Sequence, residues 1–224
     1  MNQKNKMKIQ HPLIKNYIHT NAPRGSVSQW FAENPDLYAF LDLDGHNGID
    51  IVAPWGTPMY AVEDGIVVDV KATADGYGKH IRVLSERSNS EWTFGHCSEI
   101  FVTVGQELKA GDLMSKMGNT GFVVSSHNGN GFWKPFSNRY AGTHCHMGRR
   151  EIEFVKRGGW RYNAGTPRFK VLNYDNGFKG AVNFAHMMTD KEFVADEEIL
   201  DRPTLIRFLL WLKEIGAFKK PSQV

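Results

Sequence analysis

From about Gly45 to Glu153 the chain is a succession of short β-branched runs separated by glycine turns, a pattern that suits strands and leaves little room for helices. Met59–Val62, the turn Glu63-Asp64-Gly65 and Ile66–Val70 read as a hairpin. Ile81–Leu84 and Glu91–Phe94 flank the polar segment Arg87-Ser88-Asn89-Ser90 and read as a second antiparallel pair. Beyond Val102–Val104, Gly105, Gly111 and the turn Gly118–Gly121 follow at short spacing, so no helix longer than about two turns fits there. The middle of the chain is therefore predicted to be mainly β, an antiparallel arrangement with tight connections.

The flanks are written differently. Residues 1–44 read as an N-terminal arm and lead-in, whose first 24 residues carry Lys4, Lys6, Lys8, Lys15 and Arg24 and no acidic residue. Residues 45–153 are the β domain and 154–224 a C-terminal extension. In that extension Asp201-Arg202-Pro203 precedes an apolar stripe of Leu205, Phe208, Leu209, Leu212 and Ile215 that stops at Gly216, the signature of a capped amphipathic helix packed on the domain. Residues 125–138 read as a long loop, and Phe132, Trp133, Phe136 and Tyr140 are equally suited to lining a groove or to packing over a sheet edge.

Composition limits the function. A hydrophobic content of 41% over 224 residues supports a packed core. Apolar stretches such as Phe208–Leu212 fall far short of the ~20 residues that span a bilayer. The first residues, interrupted by Lys8, Gln10, His11, Pro12 and Lys15, lack a signal-peptide core, so synthesis ending in the cytoplasm is expected. A net charge of +3 is too small to imply nucleic-acid binding and weakly suits an anionic partner. Cys97 and Cys145 form no CxxC pair and read as free thiols.

Four of the nine histidines have partners in sequence. In His144-Cys145-His146 the two imidazoles share one strand face and can address one site, although an isolated HxH is more readily two exposed histidines. In Gly45-His46-Asn47-Gly48-Ile49-Asp50 an extended chain would separate His46 from Asp50 by about 13 Å. A turn at Asn47-Gly48, residues that accept unusual backbone angles, would bring them together; alone, the segment is equally an Asx-type turn with a surface histidine. Two imidazoles and one carboxylate would leave the fourth position of a tetrahedral zinc open, as at a catalytic site. HExxH is absent, so such a site must be assembled from strands and turns. His11, His19, His80, His127 and His186 lie in polar or loop contexts and read as solvated surface residues.

The ordered series GHNGIDIVAPWGTPMYAVEDGIVVDV, GYGKHIRVL, TFGHCS, VTVGQELKAGDLMSKMGNTG and GTHCH, from about Gly45 to Arg149, resembles the lysostaphin-type (LytM-type) zinc metallopeptidase family. The resemblance implies a distorted antiparallel sandwich with long loops, one zinc held by His46, Asp50 and His146, and His96 and His144 beside it as catalytic histidines. It also implies peptide-bond hydrolysis in bacterial peptidoglycan, with the metal activating water and a histidine passing the proton to the leaving amine. A phage-type lysin or virion-associated enzyme acting on the cell wall, favoured as a monomer without nucleic-acid or membrane-spanning partners, is expected. The alternative is an inactive domain of the same fold that binds and activates a partner hydrolase. Phe94 stands where the family usually has tyrosine, Cys97 and Cys145 where leucine is usual, and Met147-Gly148 where an aromatic-acid pair is usual. The arm is expected to cover the sheet edge; a latent state, with His19 and Asn21 of the arm lying over the zinc, is the alternative.

Overall fold

The computed structural model describes Ile9 and residues 27–125, 129–130 and 140–188. Its strands are β1 (Val27–Gln29), β2 (Ile49–Ile51), β3 (Pro58–Tyr60), β4 (Gly65–Ala72), β5 (Lys79–Ser85), β6 (Ser90–Phe94) and β7 (Cys97–Ile100), then β8 (Glu107–Leu108), β9 (Leu113–Met117), β10 (Val124–Ser125), β11 (Gly129–Asn130), β12 (Cys145–Phe154) and β13 (Phe169–Val171). One short helix, α1 (Pro35–Tyr38), precedes the candidate site residues. The larger sheet runs β1-β2-β12-β6-β5-β4-β8, with β13 added to the far end of β12. A second sheet runs β3-β9-β7, and β10 pairs with β11. The pairings throughout are antiparallel. The amphipathic stripe at 205–216, the arm at 1–24 and Phe132, Trp133 and Phe136 lie outside the described residues, Ile9 excepted.

Period-two alternation explains how the larger sheet is used. Cys145 and Met147 of β12, Trp92 and Phe94 of β6, and Ile81 and Val83 of β5 lie in a main core with Met59, Met114 and Met117 of the second sheet. The intervening residues, His146, Gly148, Arg150 and Ile152 on β12, face the other way. At one end of that outer face lies the candidate site. At the other, Val68, Leu84, Ile152 and Phe169 form a small second core, against which Tyr162 packs.

The pair predicted from Ile81–Leu84 and Glu91–Phe94 is β5 with β6, in register Ile81↔Phe94 to Ser85↔Ser90. The predicted hairpin across Glu63-Asp64-Gly65 is not formed: β3 pairs with β9, and β4 pairs with β5 and β8. The turn is instead a crossing between the two sheets. Glu63 fixes it, because its buried carboxylate accepts hydrogen bonds from Trp92 Nε1 at 2.8 Å and from Ser88 Oγ. An acidic-glycine turn marks a reversal of direction, and the same signal serves a hairpin or a corner between sheets.

Between the sheets, Cys97 and Cys145 are free and fully buried. Burial pushes the Cys97 thiol up to about 11 and holds that of Cys145 well above its ordinary value. Both serve as small apolar groups.

Candidate metal centre

The centre depends first on register. β2 and β12 pair so that Asp50 stands opposite His146, which joins residues 96 positions apart. His46 is delivered by the chain entering β2. Its backbone is held on both sides, by Ala32 N–H donating to His46 O at 2.8 Å and His46 N–H donating to Glu33 O at 2.9 Å. The turn differs from its expected form, since the positive φ lies at Gly45 (149°) and not at Asn47 or Gly48. Gly48 supplies space: a Cβ there would lie 2.5 Å from His146 Cε1 and 2.6 Å from the Met147 carbonyl oxygen. Gly48→Ala is therefore expected to push the His146 ring aside and weaken zinc binding at least about tenfold while the fold persists, which zinc titration beside circular dichroism would measure.

Three donor atoms meet. His46 Nε2 lies 3.0 Å from His146 Nδ1, and each lies 3.1 Å from Asp50 Oδ1. Burial pushes the His146 pKa down to about 4. Burial would raise that of Asp50, but His144 and His46, with hydrogen bonds from His146 and His46, hold it well below the ordinary carboxylate range. At neutral pH Asp50 is therefore a carboxylate and His146 carries a lone pair. The tautomer of His46 is set by its other nitrogen, whose Nδ1–H donates to Trp30 O at 3.2 Å, leaving Nε2 turned inward. Donors on a tetrahedral zinc with bonds of about 2.0–2.1 Å stand about 3.3 Å apart, so the residues fit such an ion.

His96 and His144 adjoin this trio. Their ring centroids are 4.5 Å apart, and His144 Nε2 is 3.5 Å from Asp50 Oδ2. Each is anchored through Nδ1, His96 on Thr120 O and His144 on Gly142 O, both at 2.7 Å. Burial, then the proximity of His144 and His146, holds the His96 pKa well below its ordinary value. His96 has φ 59°, a left-handed conformation costly for a residue with a Cβ. Its N–H donates to Tyr77 O at 2.8 Å, which helps to hold it there.

A cleft of about 620 Å³ opens over the centre, with Asp50, His96, His144 and His146 on its wall and Tyr38, Asn47, Tyr77 and Phe122 around them. The sequence motifs assign no role to two of these, the tyrosines. Tyr38 stacks on His46 with centroids 5.4 Å apart. Tyr77 packs on His146 at 4.8 Å, and its hydroxyl accepts from Asn47 Nδ2 at 2.8 Å. Tyr77 lies inside GYGKH and Tyr38 eight residues before His46, so proximity to the motifs is their one available signal. Tyr140 packs on Trp55 at 5.7 Å. His186 is not part of the centre, and His80 is buried, correcting its surface assignment: its Nδ1–H donates to Gly78 O at 2.9 Å and its ring packs against Tyr77. His11, His19 and His127 lie outside the described residues.

Two imidazoles and a carboxylate converging on the wall of a cleft, with two further anchored imidazoles alongside, have the composition of a mononuclear metal centre of the hydrolytic type. Residues 44–134 match Peptidase family M23. The match falls on the same segment as the motifs that resemble the lysostaphin-type family.

The glycyl-glycine endopeptidase ALE-1 of Staphylococcus capitis is 26% identical over 198 residues, covering 85% of this chain and 51% of the relative. The peptidoglycan DD-endopeptidase ShyA of Vibrio cholerae is 34% identical over 82 residues, covering 37% of this chain and 19% of the relative. The chain thus spans about half the length of the first relative and less of the second. Among solved structures, a point mutant of the catalytic domain of the prophage-encoded M23 protein EnpA from Enterococcus faecalis aligns with a TM-score of 0.43 at 26% identity, covering 66% of this chain and 88% of that one. Among the described residues no helix is long and apolar enough to cross a membrane.

Proposed function

We propose that this protein is a zinc-dependent endopeptidase that hydrolyses peptide bonds of bacterial peptidoglycan. The observation that carries the reading is the convergence of His46 Nε2, Asp50 Oδ1 and His146 Nδ1 within 3.1 Å of one another beside the paired rings of His96 and His144. The similarity to the glycyl-glycine endopeptidase ALE-1 and the peptidoglycan DD-endopeptidase ShyA supports the choice of substrate.

In this reading His46, Asp50 and His146 hold the zinc. When bound, zinc supplies a Lewis acid that activates water and polarises a carbonyl. The remaining chemistry belongs to the chain. With Nδ1 engaged by Thr120 O and Gly142 O, His96 and His144 each leave Nε2 as the nitrogen available for proton transfer in the cleft. An imidazole that takes a proton at Nε2 becomes a donor and can return it to the leaving amine. The neighbouring imidazole, when protonated, can donate to the oxygen on which charge develops. Tyr38 and Tyr77 hold the rings of His46 and His146 by packing.

The test is release of new amino groups from purified peptidoglycans of several cross-link types by zinc-loaded protein, beside a His46→Ala variant of verified fold. Release by the first and none by the second is expected, and the preferred wall identifies the bond. A protein that binds zinc yet releases nothing from any wall would overturn the proposal.

A further inference from the structure

Residues 154–174 lie beyond the M23 match and contain Lys156, Arg157, Arg161, Arg168 and Lys170 with no acidic residue. This segment alone carries +5, whereas the whole chain nets +3. With the arm at 1–24, which also carries +5, it is one of two basic segments in an otherwise net-acidic chain. Lys156, Arg157 and Arg161 are exposed, with no ion pair among the described residues.

The segment is also shaped. β12 and β13 pair with Phe154 opposite Phe169, and Trp160 bridges to Phe169 from the intervening turn. Trp160 and Tyr174, exposed at 44% and 42%, meet edge to face with centroids 5.3 Å apart. Phe169 and the Arg150 guanidinium, 5.5 Å from the Trp160 centroid, hold the indole in place. A ring held in this way is preorganised for stacking and poorly disposed to insert into lipid.

A run of side-chain contacts, partly buried, links this surface to the candidate centre. Tyr77 touches His146, the Arg82 guanidinium lies 5.6 Å from Tyr77 and 5.5 Å from Tyr162, and Tyr162 packs on Phe169 at 5.7 Å. The run crosses the outer face of the larger sheet. We propose that the surface centred on Trp160 and Tyr174, bordered by Lys156, Arg157 and Arg161, binds the glycan strand of peptidoglycan. Sugar rings stack on the aromatics, and stem-peptide carboxylates meet the cations. The proposal rests on peptidoglycan being the substrate. Charge complementarity and the run of contacts to the cleft select this occupant, since one polymer can engage both places.

Co-sedimentation with insoluble sacculi stripped of phosphate-bearing polymers reads binding without requiring cleavage, so a protein that binds sacculi but cuts no peptide fails the preceding proposal and keeps this one. The full chain is expected to bind. Charge reversal at three exposed positions, K156E/R157E/R161E, is expected to weaken binding at least about tenfold, and raising salt from about 50 to about 300 mM to weaken it further. Trp160→Ala, with thermal unfolding as the fold control, is expected to cost about fivefold. Binding equal to wild type in a folded triple variant would overturn the proposal. So would binding lost on removal of the phosphate polymers, or binding as tight to duplex DNA or to vesicles of anionic phospholipid.

Discussion

Replacing Asp50 by asparagine is expected to abolish stoichiometric zinc binding and to lower peptidoglycan hydrolysis by at least about a thousandfold, roughly 4 kcal/mol. The size of the effect follows from its position. One carboxylate lies 3.1 Å from both His46 and His146 and 3.5 Å from His144, so its negative charge addresses three imidazoles. Asparagine keeps the volume and removes the charge that makes the set a ligand for a divalent cation. Metal content after dialysis and amino-group release on the same sample are the measurements. A folded Asp50→Asn protein that retained one tightly bound zinc would remove Asp50 from the ligand set.

The second large effect concerns stability and lies on the same sheet face. Glu91 is fully buried, and Arg82, Arg150 and Tyr162 each place a donor on its carboxylate. Glu91→Ala leaves the largely buried Arg150 guanidinium without its counter-ion and Arg82 with only Asp69 at 3.9 Å, a change that costs about 3–5 kcal/mol. For a chain of this size that lowers the melting temperature by about 10 °C. Burial would raise the Glu91 pKa, but Arg82 and Arg150 outweigh it and hold it below 4.5. A folded value below the unfolded one means that the pairing contributes fully above about pH 4.5 and is lost as pH falls through the lower folded value. Wild-type stability is therefore expected to decline on acidification below that point, and Glu91→Ala to show a shallower decline. Parallel acid slopes in the two proteins would show that Glu91 does not carry the effect.

The spacing within each motif is legible because a strand or a short turn fixes it locally. HxH places two imidazoles on one face by alternation alone, and the residues of HxGxD can meet only through a turn. The register that sets Asp50 opposite His146 is a long-range pairing and has no local mark. Nor do the supports of the histidines. Trp30, Thr120 and Gly142 contribute backbone carbonyls, which every residue type possesses. Gly48 reads as a turn residue, whereas its function is to leave room for the His146 ring, a demand created by a strand 96 positions beyond Asp50. His80 departs from its expected exposure for a related reason: its local context is polar, and its burial comes from Tyr77 folding over it. The crossing at Glu63 carries the local marks of a hairpin because its partners, Ser88 and Trp92, lie in another part of the chain.

β12 gives the molecule a built-in ruler. His146 near its start stands at the candidate centre, and Phe154 at its end is level with Phe169 and so with Trp160. Eight residues of extended chain separate the two, about 26 Å at 3.3 Å per residue. A strand held by neighbours on both sides cannot easily shorten or lengthen, so the distance between the candidate centre and the aromatic surface is set by the backbone. A polymer engaged at both would be cut at a fixed offset from where it is held, and the spacing of the products would record the length of one strand.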